Sequence, residues 1–218
     1  MLRTLRIIPL LVLAACTRPS PGRDGDPPAA SATGEARPTP LTAVRQMTPG
    51  TEVTVGGVVT VASGAVDAGF AVQDGPQGIY VAADSGTRVS AGQMVRLSGR
   101  LADQHGMLVV NPDSVRVTGR TEPFPAYQAR TKRIGEVTES LLVGVRGRVT
   151  APVVDDRPYG WKITIDDGSG PLQVFVPAHH AFDPSAYQVG QTIGVEGMSA
   201  QYDSTYEVVA TAPLRINP

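Results

Sequence analysis

The chain has 218 residues, of which 41% are apolar, 5% aromatic and 18% charged, with one cysteine and a formal charge of −1. Gly and Pro supply about 20% of it, below the roughly 25–30% that marks low-complexity disorder, so most of the chain can fold, into one or two domains. One cysteine excludes an intramolecular disulfide framework and any Cys-rich zinc or iron–sulfur site, and the near-neutral charge gives no global attraction to DNA or an anionic membrane.

The first element ends at that cysteine. Arg3 and Arg6 precede an apolar run from Ile7 to Ala15, which closes on Leu13-Ala14-Ala15-Cys16. A positive start, a short apolar stretch and small residues at a cut have the layout of a secretory signal over 1–15. The run of nine residues is far too short to cross a hydrocarbon core of about 30 Å. Leu-Ala-Ala-Cys resembles the lipobox of bacterial lipoproteins. The resemblance implies diacylglyceryl transfer to Cys16, cleavage before it, and acylation of the new amine by a palmitate-type chain. The lipid bilayer of the cell envelope is then a partner through Cys16, the sole lipidation site. An ordinary signal peptide with an incidental Cys is the alternative. Thr17 in place of Asp implies, by the same resemblance, the outer membrane where the organism has one. Each buried CH₂ would add about 0.8 kcal/mol to anchoring.

Residues 16–41 follow as a tether. Six prolines (19, 21, 27, 28, 38 and 40) and no aromatic stand between 17 and 41, and such a segment cannot bury enough surface to offset its ordering entropy. From Thr42 the composition changes to short β-branched runs punctuated by Gly, Asp and Asn, which predicts an all-β fold. One helical turn is expected, over 183–187, with Asp183 as N-cap and Pro184 at the first helical position.

The β region repeats. Val53-Thr-Val-Gly-Gly-Val-Val-Thr60 aligns with Val143-Gly-Val-Arg-Gly-Arg-Val-Thr150 at an offset of 90. Gly69-Phe70 answers Gly160-Trp161, and Asp74-Gly75 answers Asp167-Gly168 at 93. Ile79-Tyr80-Val81 matches Val174-Phe175-Val176 at 95, and Gly92–Gly99 matches Gly190–Gly197 at 98. The offset only grows, as loop insertions between strands would produce. Two modules result, 42–119 and 133–218, joined by a linker over 120–132. Strands are expected near 52–61, 69–73, 78–83, 94–101 and 107–117, and again near 142–151, 161–166, 171–177, 192–198 and 205–216. The Asp-Gly pairs mark tight hairpins between strands two and three, and the Gly closing strand four marks a bend. Five strands in about 80 residues fit two consecutive five-stranded OB-fold barrels; a two-layer sandwich is the alternative.

The first module's Thr-Glu-Val-Thr-Val-Gly-Gly-Val-Val-Thr, Gly-Phe-Ala-Val-Gln-Asp-Gly and Gly-Gln-Met-Val-Arg-Leu-Ser-Gly resemble the OB-fold modules attached to secreted bacterial nucleases. The second module's Asp167-Gly-Ser-Gly-Pro-Leu-Gln-Val-Phe-Val is also similar to small periplasmic OB proteins. The resemblance implies nucleic-acid binding, although this barrel hosts many unrelated activities.

Strand alternation sorts the faces. In the second module Val143, Val145, Val149, Trp161, Ile163, Ile165, Leu172, Val174 and Val176 form the inward set. Arg146, Arg148, Lys162 and Phe175 then point outward, and because strands one to three are adjacent in the expected fold they are expected on one surface. Arg157, Tyr159 and Tyr202 would rim it. An outward aromatic among cations suits single-stranded DNA or RNA, through stacking and charge. Tyr80 takes the place of Phe175 in the first module, with no cation around it. Packing against the other module, the linker or the segment 44–48 is the competing explanation for both rings. Charge argues against tight binding, since the second module has six Lys/Arg against ten Asp/Glu.

Catalysis has little support. His179-His180 with Asp166, Asp167 or Asp183 could hold a metal only in a loop, because adjacent strand residues point to opposite sides. Asp166–Gly170 lacks the calcium-loop pattern and reads as a hairpin turn. No serine-hydrolase, zinc-protease or phosphate-loop motif is present. The expectation is a non-enzymatic, cofactor-free binding protein, with nucleic acid taken by the second module. An envelope protein partner or an oligosaccharide is the alternative ligand.

Overall fold

The computed structural model describes residues 37–217. The signal over 1–15, Cys16 and the tether up to residue 36 lie outside the described residues. A short helix α1 (Leu41–Val44) precedes β1 (Glu52–Val61), β2 (Phe70–Asp74), β3 (Gln77–Val81), β4 (Gln93–Gln104) and β5 (Met107–Arg120). β1 is long enough to serve two partners. Its first part pairs antiparallel with β4, from Glu52↔Arg100 to Val58↔Met94, and its end pairs with β2. β3 joins β5 in parallel, which closes the barrel in the order β1-β2-β3-β5-β4.

The second half repeats the plan. A short β6 (Tyr127–Ala129) leads to β7 (Leu142–Val149), β8 (Val154–Asp156), β9 (Gly160–Asp166), β10 (Pro171–Pro177), β11 (Thr192–Tyr202), β12 (Thr205–Ala210) and β13 (Arg215–Asn217). β7, β9, β10, β12 and β11 form the barrel, β10 running parallel to β12 and β11 closing on β7. Two five-stranded barrels with this order are OB-folds. The expected strands all form; the last of the second module breaks into β12 and β13.

Local chemistry explains the joints. Gly75 and Gly168 take φ of 58° and 89° in the β2–β3 and β9–β10 turns, a region open to Gly at no steric cost. Gly99 and Gly197 sit where a Cβ would strike the carbonyls of Asn111 and Val209 on the neighbouring strand. The expected 183–187 turn is a 3₁₀ turn over Pro184–Ala186, with the Asp183 carboxylate accepting from the Ser185 N–H at 3.0 Å and hydroxyl at 2.7 Å. Each barrel holds its own apolar core, one around Phe70, Ile79 and Leu97, the other around Ile163, Ile165 and Ile193. Trp161 packs half-buried at the margin of the second core, against Phe182.

Both modules begin earlier than composition suggests. Leu41 and Val44 are fully buried, and the Thr39 N–H donates to Thr54 O at 2.7 Å, so the segment from 38 belongs to the first barrel and not to the tether. Likewise β6, inside the expected 120–132 linker, adds in parallel to β7 through Tyr127↔Val143, Gln128↔Gly144 and Ala129↔Val145. The lead-ins are themselves a repeat. Gly50 and Ser140, 90 residues apart, take left-handed φ of 91° and 63°. Their N–H groups donate to Leu101 O at 2.7 Å and Ser199 O at 2.8 Å.

A third apolar cluster joins the barrels. Val61, Ala71, Tyr80, Met107 and Val109 of the first pack with Met198, Ala200 and Val209 of the second, flanked by Ala102 and Phe175. Much of this seam uses equivalent positions of the two copies, Tyr80 with Phe175 and Ala102 with Ala200. The β4–β5 and β11–β12 hairpin tips also meet, where the Asp203 N–H donates to His105 O at 2.7 Å.

Candidate functional site

β7 carries two cations that face solvent. Its alternation buries Val143, Val145 and Val149 and leaves Arg146 and Arg148 exposed on the outer face. Neither arginine makes an ion pair among the described residues. The parallel register of β6 ends at Ala129↔Val145, so the next residue, Arg130, comes abreast of Arg146. The 3₁₀ turn Thr131–Arg133 then sets exposed Lys132 against the β9–β10 hairpin, beside Gly170. Four cations therefore stand at one end of the second barrel, and two of them, Arg146 and Arg148, line an open cleft of about 550 Å³ with Thr150, Asp166, Gly168 and Thr192.

Glu196 stands exposed on β11 opposite Gly144, and the β9–β10 hairpin brings two further carboxylates, both already engaged. Asp166 Oδ1 accepts from the Gly168 N–H at 2.6 Å and the Gly170 N–H at 3.1 Å. Asp167 accepts from the Ser169 hydroxyl and N–H, from the buried Thr131 hydroxyl at 2.8 Å and from Arg130 Nε at 3.3 Å. The Ser169 hydrogen bond, with those from Thr131 and Arg130, holds the Asp167 carboxyl well below the usual range. The local balance stays positive, although the second module as a whole is acidic.

The remaining expected residues do not join this surface. β7 meets β9 only at Arg148↔Asp166 and Val149↔Ile165. Lys162 stands two outward positions farther along β9, opposite Phe175. The single surface expected for Arg146, Arg148, Lys162 and Phe175 is thus two separate regions. Lys162 Nζ pairs with Asp156 at 2.8 Å, and Arg157 forks onto Asp155 at 2.6–3.0 Å, which pulls the Asp155 carboxyl down to about 2. Tyr159 is 73% exposed beside β8, away from the arginines, and Tyr202 stacks on His105 at 4.3 Å.

Tyr80 is not an outer-face contact. It is 2% exposed, because the second barrel covers the β2–β3 face of the first, and its hydroxyl bonds to Asp67. Phe175 is half-buried in the same seam, with its ring over Gly160. Outward phase relative to one barrel is inward relative to the pair. His180 Nε2 lies 2.9 Å from Ala65 O, and among the described residues no three His, Cys, Asp or Glu gather to hold a metal.

Arg130 and Lys132 are the residues that sequence reasoning missed. The run Arg130-Thr-Lys-Arg133 was visible, but a module boundary at 132/133 assigns it to a linker. The offset of 90 between Val44 and Ile134, both buried, is the signal that reaches back across that boundary.

No family model matches the chain, and no curated protein matches it. Solved structures share part of its backbone arrangement. One is the S. pombe Stn1–Ten1 complex, at 21% identity and a TM-score of 0.31, over 35% of this chain and 57% of that one. A second is the hypothetical protein ygiW from E. coli, at 16% identity and a TM-score of 0.33, over 38% of this chain and 90% of that one. A third is a murine DNA-binding protein bound with double-stranded DNA, at 11% identity and a TM-score of 0.40, over 75% of this chain and 94% of that one.

Proposed function

We propose that the protein is an envelope lipoprotein, anchored by acylated Cys16, that binds nucleic acid without catalysis through its second barrel. The observation that supports the binding most directly is the convergence of Arg130, Lys132, Arg146 and Arg148 on one exposed end, where both carboxylates of the β9–β10 hairpin are already engaged by backbone and hydroxyl donors. Phosphates neutralised by such cations release counterions, which gives affinity that falls steeply with salt and carries little sequence information. Four contacts make a weak binder, in keeping with the acidic remainder of the module.

The two halves of the reading are tested separately. Cys16→Ser is expected to move the protein from the membrane fraction to the soluble fraction; unchanged fractionation would remove the anchor from the proposal. The full chain carrying Cys16→Ser is expected to retain labelled nucleic acid at low salt, and Arg146→Glu with Arg148→Glu to abolish retention. No retention by the parent chain at about 50 mM salt, where phosphate contacts are strong, would sink the nucleic-acid reading.

A further inference from the structure

We infer that the nucleic acid held by this face is double-stranded, gripped by its phosphates and not by its bases; the inference rests on the nucleic-acid reading above. Proteins that hold single strands combine a basic track with aromatic planes on which bases stack. The arginine face offers none. Its outward neighbours across the sheet are Gln128, Gly144, Thr192, Gly194 and Glu196, fixed by the pairings of β7 with β6 and β11. Tyr127 is exposed nearby, but it pairs with the core residue Val143, while the side chain of the next residue, Gln128, lies over Gly144. Tyr127 therefore alternates to the opposite face of the sheet from the arginines.

The β2–β3 face, where this fold usually receives unstacked bases, is closed in the first barrel. In the second, the corresponding aromatic, Phe175, is turned into the seam. Beside these cations bases find no aromatic plane to stack on; phosphates find charge. Arg146 and Arg148 are two residues apart, about 6.8 Å along the strand, and Arg130 stands one strand over, about 4.8 Å to the side. Gly194 on β11 lies opposite Arg146, so no side chain rises on that flank of the guanidinium, while the Gln128 side chain covers Gly144, two residues before it. A duplex also carries one charge per about 1.7 Å of axis, twice the density of one strand.

The test uses the full chain with Cys16→Ser and three probes: a 20-base-pair duplex, one of its strands, and vesicles of phosphatidylcholine with phosphatidylglycerol. Duplex binding is expected to be insensitive to sequence and at least about tenfold tighter than single-strand binding. Four phosphate contacts predict a slope of log K against log salt near −3.6, or about 150-fold weaker binding for a fourfold rise in salt. Arg146→Gln with Arg148→Gln should flatten that slope by about 2, while Arg146→Lys with Arg148→Lys should keep it; circular dichroism checks that each variant folds. Equal or tighter binding of the single strand overturns the duplex inference and leaves the nucleic-acid reading standing. Binding of neither nucleic acid overturns both, and capture by the vesicles alone would make the face a lipid-headgroup surface.

Discussion

Tyr80 shows how one side chain changes meaning between a barrel and a pair of barrels. Its phase places it outside the first barrel, yet it is buried with Val109 and Met107 on one side and residues of the second barrel on the other. Burial, together with the Asp67 carboxylate at its hydroxyl, keeps the phenol protonated far above its usual range. Tyr80→Phe is expected to cost about 1 kcal/mol, the net worth of one hydrogen bond, and Tyr80→Ala about 3–5 kcal/mol, because a cavity opens in the seam. Denaturant midpoints measure both, and an Ala variant no weaker than Phe would refute the packing role. Gly99 and Gly197 carry the opposite constraint. Alanine at either would press a Cβ into a neighbouring strand's carbonyl, with an expected loss of about 1–3 kcal/mol.

Among elements, the seam is secured by a buried ion pair that neither module predicts alone. Arg45, just after α1, reaches Glu139 and Glu136 at 2.6 Å each, with side chains 7%, 1% and 66% exposed. Glu139 also accepts from the Leu108 N–H at 3.1 Å, which ties β5 to the lead-in of β7. Removing one member of a buried pair strands the other, so Arg45→Ala is expected to destabilise by about 3–5 kcal/mol, whereas replacing both should restore much of that loss. Burial outweighs Arg45 and raises the Glu139 carboxyl above the usual 4.5. A carboxyl raised on folding contributes stability that is full below its unfolded value and is lost as pH rises through the folded one. Glu139→Gln has no such titration. Its stability relative to the parent is therefore expected to improve from pH 4 upward; a difference that worsens across that range would show that the pair, not the burial, dominates.

At the scale of the molecule, two cores and the seam make the barrels one folding unit in the region that the structure describes. A single thermal transition is expected, coincident by near-UV circular dichroism, which reports the single Trp161 in the second barrel with the tyrosines, and by far-UV circular dichroism. Two separated transitions would mean that the seam contributes little. Charge is arranged at this scale too. The first module is close to neutral and the second acidic apart from the end that carries Arg146 and Arg148.

What lies within a strand or a turn was legible in the amino-acid order. Alternation named Val143, Val145, Ile163, Ile165, Leu172 and Val174 as core, Asp-Gly placed both hairpins, and the 90-to-98 offset revealed two barrels, because each of these signals is local or repeated. Module boundaries were less legible, since the lead-ins around Leu41 and Tyr127 are short, proline-rich or polar, and become part of the barrels only by lying against β1 and β7. The candidate site was half legible: Arg146 and Arg148 are outward by phase, but Arg130 and Lys132 join them only through β6. Whether a side chain that leaves its own barrel meets water or another barrel depends on atoms about a hundred residues away in the chain. Only the tertiary structure decided that Tyr80 is buried and Phe175 half-buried in a seam, and that Arg130 and Lys132 join Arg146 and Arg148 at one end.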